Sequence, residues 1–168
     1  MNAPVNYLIK TLNEEVQHAR QLLGFLFEKE KIIINNNIAE LKQMMLKEHE
    51  FFVKSRELES ARISLVDIIS KRYEIKSEKV NLKMIIEKAD KETSLKLNEL
   101  RNAFLNLFGK IKNQNRKCEI LIKKSLEIVN YSLTLFTESM HKKVKKLYNR
   151  NLKIENKYSS NSLLDKRG

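Results

Sequence analysis

Among its 168 residues the chain has only three glycines, one proline and one cysteine, and it has no tryptophan. So few glycines and prolines cannot supply the many tight turns of a β-sandwich, a β-barrel or a doubly wound sheet. A chain of this length supports one domain and can bury roughly 70% of its unfolded surface without disulfides or metal. The composition therefore predicts an all-α fold.

The single cysteine, Cys118, excludes a disulfide within the chain and is typical of a reducing compartment. The segment from Met1 to Leu12 lacks the basic start, the apolar stretch and the small-residue cleavage site of a targeting peptide. No apolar run approaches the roughly 18 residues of a membrane span. We therefore expect a soluble, cytoplasmic protein without membrane insertion.

Patterns that would carry catalysis or metal binding are also missing from the sequence. The three glycines stand alone and form no phosphate-binding loop, and His18, His49 and His141 are far apart and expected at the surface. Cys118 lies on an apolar helix face, so we expect a buried structural thiol. Carboxylates beside lysines at helical spacing are expected to form solvated ion pairs. The sequence therefore predicts no enzyme, no metal site and no cofactor.

The formal net charge of +12 is concentrated near the carboxyl end. Residues 1–109 carry 18 basic and 16 acidic side chains, whereas residues 110–168 carry 15 and 5. The densest cluster, here called the lysine group, consists of Lys142, Lys143, Lys145 and Lys146. Such a group attracts acidic partners and speeds their encounter. Nucleic acid is an unlikely partner by this criterion, because lysine outnumbers arginine and no nucleic-acid-binding motif is present.

Apolar residues recur at alternating spacings of three and four, the pattern of helices that pack together. A first helix begins near Pro4, and the consecutive asparagines at 35–37 are expected to end or bend it. A second helix follows from Ile38 to Ile69. A short helix is predicted over Asn81 to Ala89, and Asp90 is the predicted N-cap of a much longer one.

The last helix has the most regular pattern in the chain. Its first stripe is Leu97, Leu100, Phe104, Leu107, Ile111, Gln114, Cys118, Leu121, Ser125, Ile128, Ser132 and Leu135. A second stripe runs beside it, formed by Ile122, Leu126, Val129, Leu133, Phe136 and Met140. From residue 121 onward the two together are called the double stripe. It fits two interpretations equally: a central place in the bundle, or a groove for the amphipathic helix of a partner.

These patterns predict an elongated antiparallel helix bundle or coiled coil over residues 1–141, with one very long C-terminal helix covered by helices of the first half. Residues 142–168 are expected to form a flexible basic tail. Within it, Tyr158 to Gly168 is polar and is expected to be disordered without a partner.

Three segments of the sequence resemble the FlgN-type flagellar export chaperones. The first is the leucine-rich, charged half from Leu22 to Leu65. The second and more specific one is Asn113 to Arg116, which runs into the double stripe at Leu121. The third is the closing pattern of residues 148–152 and 163–167, with leucine at 152 where the family usually has glycine.

This resemblance implies a chaperone that binds the C-terminal helices of hook-filament junction proteins, prevents premature assembly and delivers them to the flagellar type III export apparatus. The cargo-binding residues that it implies are Asn115, Leu121, Ile122, Ser125, Leu126, Val129, Leu133 and Phe136. It also implies that Tyr148 docks on the export gate or on ATPase components, against the equal alternative that this ring folds back over the bundle end. The lysine group would steer an acidic partner electrostatically.

Two other functions remain open at this point. The chain could be a structural coiled-coil protein that forms a weak homodimer along residues 97–135. A basic helical protein that binds nucleic acid is the less favoured alternative.

Overall fold

The computed structural model describes the backbone of residues 3–75 and 80–164 and the side chains of residues 3–75 and 80–150. The described residues form four helices: α1 (Ala3–Ile34), α2 (Ile38–Arg72), α3 (Leu82–Lys88) and α4 (Lys91–Leu164). They contain no strand, which confirms the predicted all-α fold with one very long C-terminal helix. Within this part of the chain, no helix combines the length and the apolar character needed to cross a membrane.

By its internal packing the chain divides into two units, residues 1–122 and residues 123–168. The division predicted from the sequence, a bundle up to residue 141 and a flexible tail from residue 142, stays a prediction. The helix α4 continues through Leu164, and the last four residues of the predicted tail lie outside the described part.

A Schellman motif ends α1 at the three consecutive asparagines. Asn36 has a φ of 53°, and its N–H donates to the Ile33 carbonyl at 3.0 Å. The N–H of Asn37 donates to the Ile32 carbonyl at 3.2 Å, while its side chain accepts from the N–H of Glu40 and caps α2. Asparagine tolerates the left-handed region better than most residues do. The asparagines therefore end one helix and begin the next.

The same motif ends α2, but with a residue that suits it less well. Glu74 has a φ of 53°, and its N–H donates to the Lys71 carbonyl at 3.3 Å. The N–H of Ile75 donates to the Ser70 carbonyl at 3.0 Å and completes the motif. A glutamate in the left-handed region costs roughly 1 kcal/mol, because its Cβ crowds the backbone.

The starts of α3 and α4 confirm the predictions for that part of the sequence. The Asn81 side chain accepts from the N–H of Met84 at 3.2 Å and caps α3. The Asp90 carboxylate accepts from the N–H of Thr93 at 3.0 Å, and this bond lowers the pKa of Asp90.

The core of the first unit lies between α1, α2 and the first part of α4. One end contains Val5, Leu8, Leu12, Val66, Ile69, Ile85, Ile86 and Leu97, so that α3 also packs there. At the other end Phe25 and Leu26 of α1 contact Met44 of α2, with Ile111 of α4 packed against them. Within this unit α4 therefore runs parallel to α1 and antiparallel to α2. We call this unit the bundle.

The first stripe of α4 is confirmed as a packing face up to Ser125. Leu97, Gln114 and Cys118 are buried, and the stripe residues between them are half-buried. From Leu126 to Arg150, every described side chain is exposed. Helices α1 and α2 have 32 and 35 residues, whereas α4 has 74. The predicted covering of α4 by helices of the first half is met within the first unit.

Candidate functional site

The second unit presents large apolar side chains on the surface of α4. Four predicted cargo-binding residues, Leu126, Val129, Leu133 and Phe136, are 57%, 50%, 56% and 65% exposed. Ser125 is half-buried. An apolar surface of this extent, on a helix without a covering neighbour on those side chains, is typical of an interaction site.

The remaining predicted cargo-binding residues lie in the first unit. Leu121 and Ile122 are half-buried, as is Asn115. The Asn115 amide donates to the Glu119 carboxylate at 3.1 Å within its own helix. The structure therefore does not place all the predicted residues in one environment: Asn115, Leu121 and Ile122 are half-buried, whereas the leucines from 126 onward are exposed.

A heptad repeat relates the side chains of the double stripe. Position a is occupied by Leu126, Leu133 and Met140, and position d by Ile122, Val129 and Phe136. Next to position d on the helix surface lies position g, occupied by Ser125, Ser132 and Ser139. Beyond position g lies position c, occupied by Leu121, Ile128 and Leu135. This is the side-chain pattern that packs against another amphipathic helix.

Hydroxyl groups on and beside the double stripe have partners within α4 itself. Ser132 donates to the Ile128 carbonyl at 2.8 Å, and Thr137 donates to the Leu133 carbonyl at 3.0 Å. Covering the double stripe would therefore not leave these donors unsatisfied, which removes a cost that buried hydroxyls commonly impose.

The lysine group and Tyr148 follow directly along the same helix. All four lysines are exposed, and the Tyr148 ring is 66% exposed. These side chains supply positive charge and an aromatic ring to whatever approaches this part of α4.

The interior of the bundle contains ion pairs that the sequence did not predict. Arg62 donates to the Glu15 carboxylate at 2.9 Å, and Lys29 lies 2.6 Å from the Glu48 carboxylate. Glu15 and Lys29 are buried, and both pairs join α1 to α2. The pairs at helical spacing, such as Lys71 with Asp67, are exposed as expected. Burial raises the pKa of Glu15, because the loss of solvent outweighs the stabilisation of its carboxylate by Arg62.

The position of His18 inside the bundle is a correction. Its Nε2 lies 3.0 Å from the Phe51 carbonyl oxygen and 2.9 Å from the Ser55 hydroxyl, and the side chain is half-buried. The expected surface position is wrong for this histidine, because α2 packs over it. His18 joins α1 to α2, and among the described residues no group of three or more metal-ligating side chains occurs.

A polar cluster joins α4 to α1 just before the double stripe begins. The Gln114 amide donates to the Glu30 carboxylate, and Lys117 lies 2.7 Å from the same carboxylate. Hydrogen bonds from Lys117 and Gln114 lower the pKa of Glu30. Glu30 and Gln114 each occupy a position in an otherwise apolar stripe of the sequence. A polar residue in each of two packing stripes is the signal that could have predicted their pairing.

Cys118 lies next to this cluster and confirms the expectation of a buried structural thiol. Its sulfur lies 3.6 Å from the Leu26 carbonyl oxygen, and burial raises the pKa of the thiol. A neutral thiol packed in this way is a poor nucleophile and a poor metal ligand. Its contribution is to hold α4 against α1.

A cavity of about 260 Å³ lies between α1, α2 and α4. It is lined by Glu15, His18, Leu58, Arg62 and Phe104, among others. The Oε2 atom of Glu15 is buried and has no hydrogen-bond partner among the described residues. The Ser55 hydroxyl also lines the cavity, 2.9 Å from His18 Nε2, and it donates to the Phe51 carbonyl oxygen of its own helix at 2.9 Å. These polar groups join α1 to α2 beside the cavity.

A comparison with protein families finds one match. A family model described as FlgN protein matches residues 1–155, a range that includes the bundle, the double stripe, the lysine group and Tyr148. No curated protein matches the chain, and no solved structure matches it.

Proposed function

The chain belongs to the FlgN family of flagellar export chaperones, and from this premise we propose that it is a cytoplasmic chaperone of hook-filament junction proteins. It binds the C-terminal helical region of an unassembled junction protein, prevents premature assembly and delivers this cargo to the export apparatus. Its action is non-enzymatic, since binding and release of a helix need no bond to be made or broken.

The observation that carries this proposal is the exposure of the double stripe from Leu126 to Met140. A helix that polymerises through its apolar side is kept unassembled when another apolar helix covers that side. Covering a leucine or phenylalanine that is otherwise exposed stabilises a complex by roughly 1.5–3 kcal/mol when burial is complete. Four such anchors are enough for a specific complex that remains reversible, since ordering costs offset much of this gain.

The lysine group and Tyr148 have separate roles in this proposal. The lysines raise the rate at which an acidic partner encounters the helix. Tyr148 docks the chaperone on the export gate or on an ATPase component, because an exposed aromatic ring with a polar tip is suited to a reversible contact. Both features lie on the same helix as the cargo-binding residues.

The test is binding of a peptide from the C-terminal helical region of a junction protein, measured by isothermal titration calorimetry. Leu126→Asp combined with Leu133→Asp should weaken binding at least tenfold, because each carboxylate would be desolvated beneath the cargo. The matched control is Leu46→Asp combined with Ile63→Asp, two exposed apolar residues of α2. Circular dichroism checks that both variants keep their helicity. Equal binding by the two double variants would place the cargo elsewhere.

A structural coiled-coil role is the second candidate, because a heptad repeat also suits self-association. Sedimentation equilibrium separates the two functions. A tight dimer that forms without another protein and does not bind the junction-protein peptide would favour the structural role.

A further inference from the structure

The heptad repeat of the double stripe changes chemically at its fourth repeat. Position c reads Leu121, Ile128, Leu135 and then Lys142. Position d reads Ile122, Val129, Phe136 and then Lys143. Position g reads Ser125, Ser132, Ser139 and then Lys146. Three neighbouring columns on one side of α4 therefore all end in lysine.

The side chains from residue 126 to residue 150 are exposed, so this side of α4 presents an apolar surface continued by a positive one. Residues 123–150 contain seven basic and two acidic side chains, a net charge of +5 with histidine neutral. The lysines at positions c, d and g lie where a bound helix would continue past the apolar layers. Lys124 and Lys145 occupy position f, which lies opposite positions a and d.

We propose that the cargo helix carries an acidic cluster one heptad beyond its own apolar stripe, and that pairing of this cluster with Lys142, Lys143 and Lys146 sets its binding register. This inference rests on the proposed chaperone function and adds the chemistry and the register of the cargo to it. The cargo segment it describes has about three apolar heptads, roughly 20 residues, followed or preceded by glutamates or aspartates on the same side.

The register follows from what a shift by one heptad would do. Apolar layers repeat every seven residues, so a purely apolar cargo could move along the double stripe and lose only one layer. With Lys143 at position d, such a shift would press an apolar layer against an ammonium group and desolvate it without a partner. A lysine in a core position is a known means of fixing register in coiled coils. An acidic cluster in the cargo would instead pair with the ammonium group, so that the register with the cluster beside Lys143 is favoured.

A second copy of this chain is a poor occupant of the same surface. In a parallel pair, Lys143 would meet the Lys143 of the second copy at position d. In an antiparallel pair, the lysine group would approach Lys123 and Lys124 at the start of the exposed segment. Both arrangements bring like charges together, which costs free energy. The charge distribution therefore favours an acidic partner over self-association.

The experiment uses the full chain and designed 28-residue helical peptides that share three apolar heptads. In two peptides a fourth heptad carries three glutamates on the apolar side, at the carboxyl end in one and at the amino end in the other. Their controls carry glutamine at the same positions. Affinity is measured by fluorescence anisotropy at low and at high salt. At least one glutamate peptide should bind about tenfold more tightly than its glutamine control at low salt, and the difference should shrink as salt screens the pairs.

Two charge-reversal variants show where the pairing occurs. Lys143→Glu combined with Lys146→Glu should abolish the preference for glutamate and should favour a peptide with lysine at those positions. The matched control is Lys110→Glu combined with Lys112→Glu, which makes the same change in net charge at two exposed lysines before the double stripe and should keep the preference for glutamate.

Equal binding of the glutamate and glutamine peptides, or equal effects of the two charge-reversal variants, overturns the inference. Failure of every designed peptide to bind also overturns it. The chaperone function fails only if the junction-protein peptide does not bind either, so the two failures can be told apart. Displacement of the glutamate peptide by a short oligonucleotide at physiological salt would assign the lysines to nucleic acid and would likewise count against the inference.

Discussion

The two parts of α4 have similar apolar periodicity and different surroundings. From Leu97 to Cys118 the stripe packs into the bundle, whereas from Leu126 to Arg150 the side chains are exposed. The first part also makes polar contacts with α1, through Gln114 and Lys117 to Glu30. Periodicity therefore predicts that a helix has a face to bury, but it does not predict which part of that face is buried within the chain.

The largest expected effect comes from comparing one leucine in each part. Leu97→Ala should lower the free energy of unfolding by about 2–5 kcal/mol, because Leu97 is fully buried and its truncation leaves a cavity. Leu133→Ala should change it by less than about 0.5 kcal/mol, because the side chain already contacts solvent. Urea unfolding followed by circular dichroism measures both. Equal losses for the two variants would mean that both parts of α4 are core.

An intermediate effect is expected from breaking the ion pair inside the bundle. Arg62→Met should destabilise the chain by about 2 kcal/mol at pH 7, since the Glu15 carboxylate, in a buried site, loses the guanidinium that it contacts. The pKa of Glu15 is already raised by burial and should rise further. A raised pKa in the folded state means that the folded state binds more protons, so stability falls as pH rises through that pKa.

The deficit of Arg62→Met should therefore be smallest below the ordinary pKa of glutamate and should grow as pH rises toward neutral. Unfolding curves across that pH range give the measurement. The control is Glu15→Gln combined with Arg62→Met, compared with Glu15→Gln alone, because neither chain contains the titrating group and the deficit between them should be nearly independent of pH. A deficit in Arg62→Met that is constant with pH would show that Glu15 is not the responsible group.

The smallest expected effect is a gain in stability that leaves cargo binding unchanged. Glu74→Gly should raise the free energy of unfolding by roughly 0.5–1 kcal/mol, because glycine adopts the left-handed conformation without strain. Asn36→Gly, the equivalent change at the end of α1, should have a smaller effect, since asparagine already tolerates that region. Thermal unfolding and peptide binding are the two measurements. A change in peptide affinity in Glu74→Gly would contradict the separation between bundle and double stripe.

Local chemistry made much of the fold predictable from the sequence. The capping roles of Asn81 and Asp90 and the packing stripe from Leu97 to Cys118 each depend on residues within a few turns of helix. The pair of Glu15 with Arg62 was not predictable, because the two residues are 47 positions apart and meet only in one register of α1 against α2. The contact of His18 with Phe51 was not predictable for the same reason, because it also depends on the register of α1 against α2.

The candidate site was predictable in part for a related reason. The heptad positions of the double stripe follow from spacing alone, and so does the change to lysine at residues 142, 143 and 146. Spacing does not reveal what covers a stripe, because a side chain that faces the bundle core and one that faces a partner obey the same periodicity. Cys118 is buried and Leu126 is exposed, although both belong to regular apolar stripes of α4.

Hydrogen exchange of α4 with and without a junction-protein peptide tests the central claim most directly. In the free chain, amides from 126 to 140 should exchange faster than those from 97 to 118, because few packed side chains protect that helical segment. Addition of the peptide should slow exchange over residues 126–140 and leave residues 97–118 nearly unchanged. Protection that appears only within residues 3–122, with no change over 126–140, would contradict the assignment of the double stripe as the cargo-binding surface.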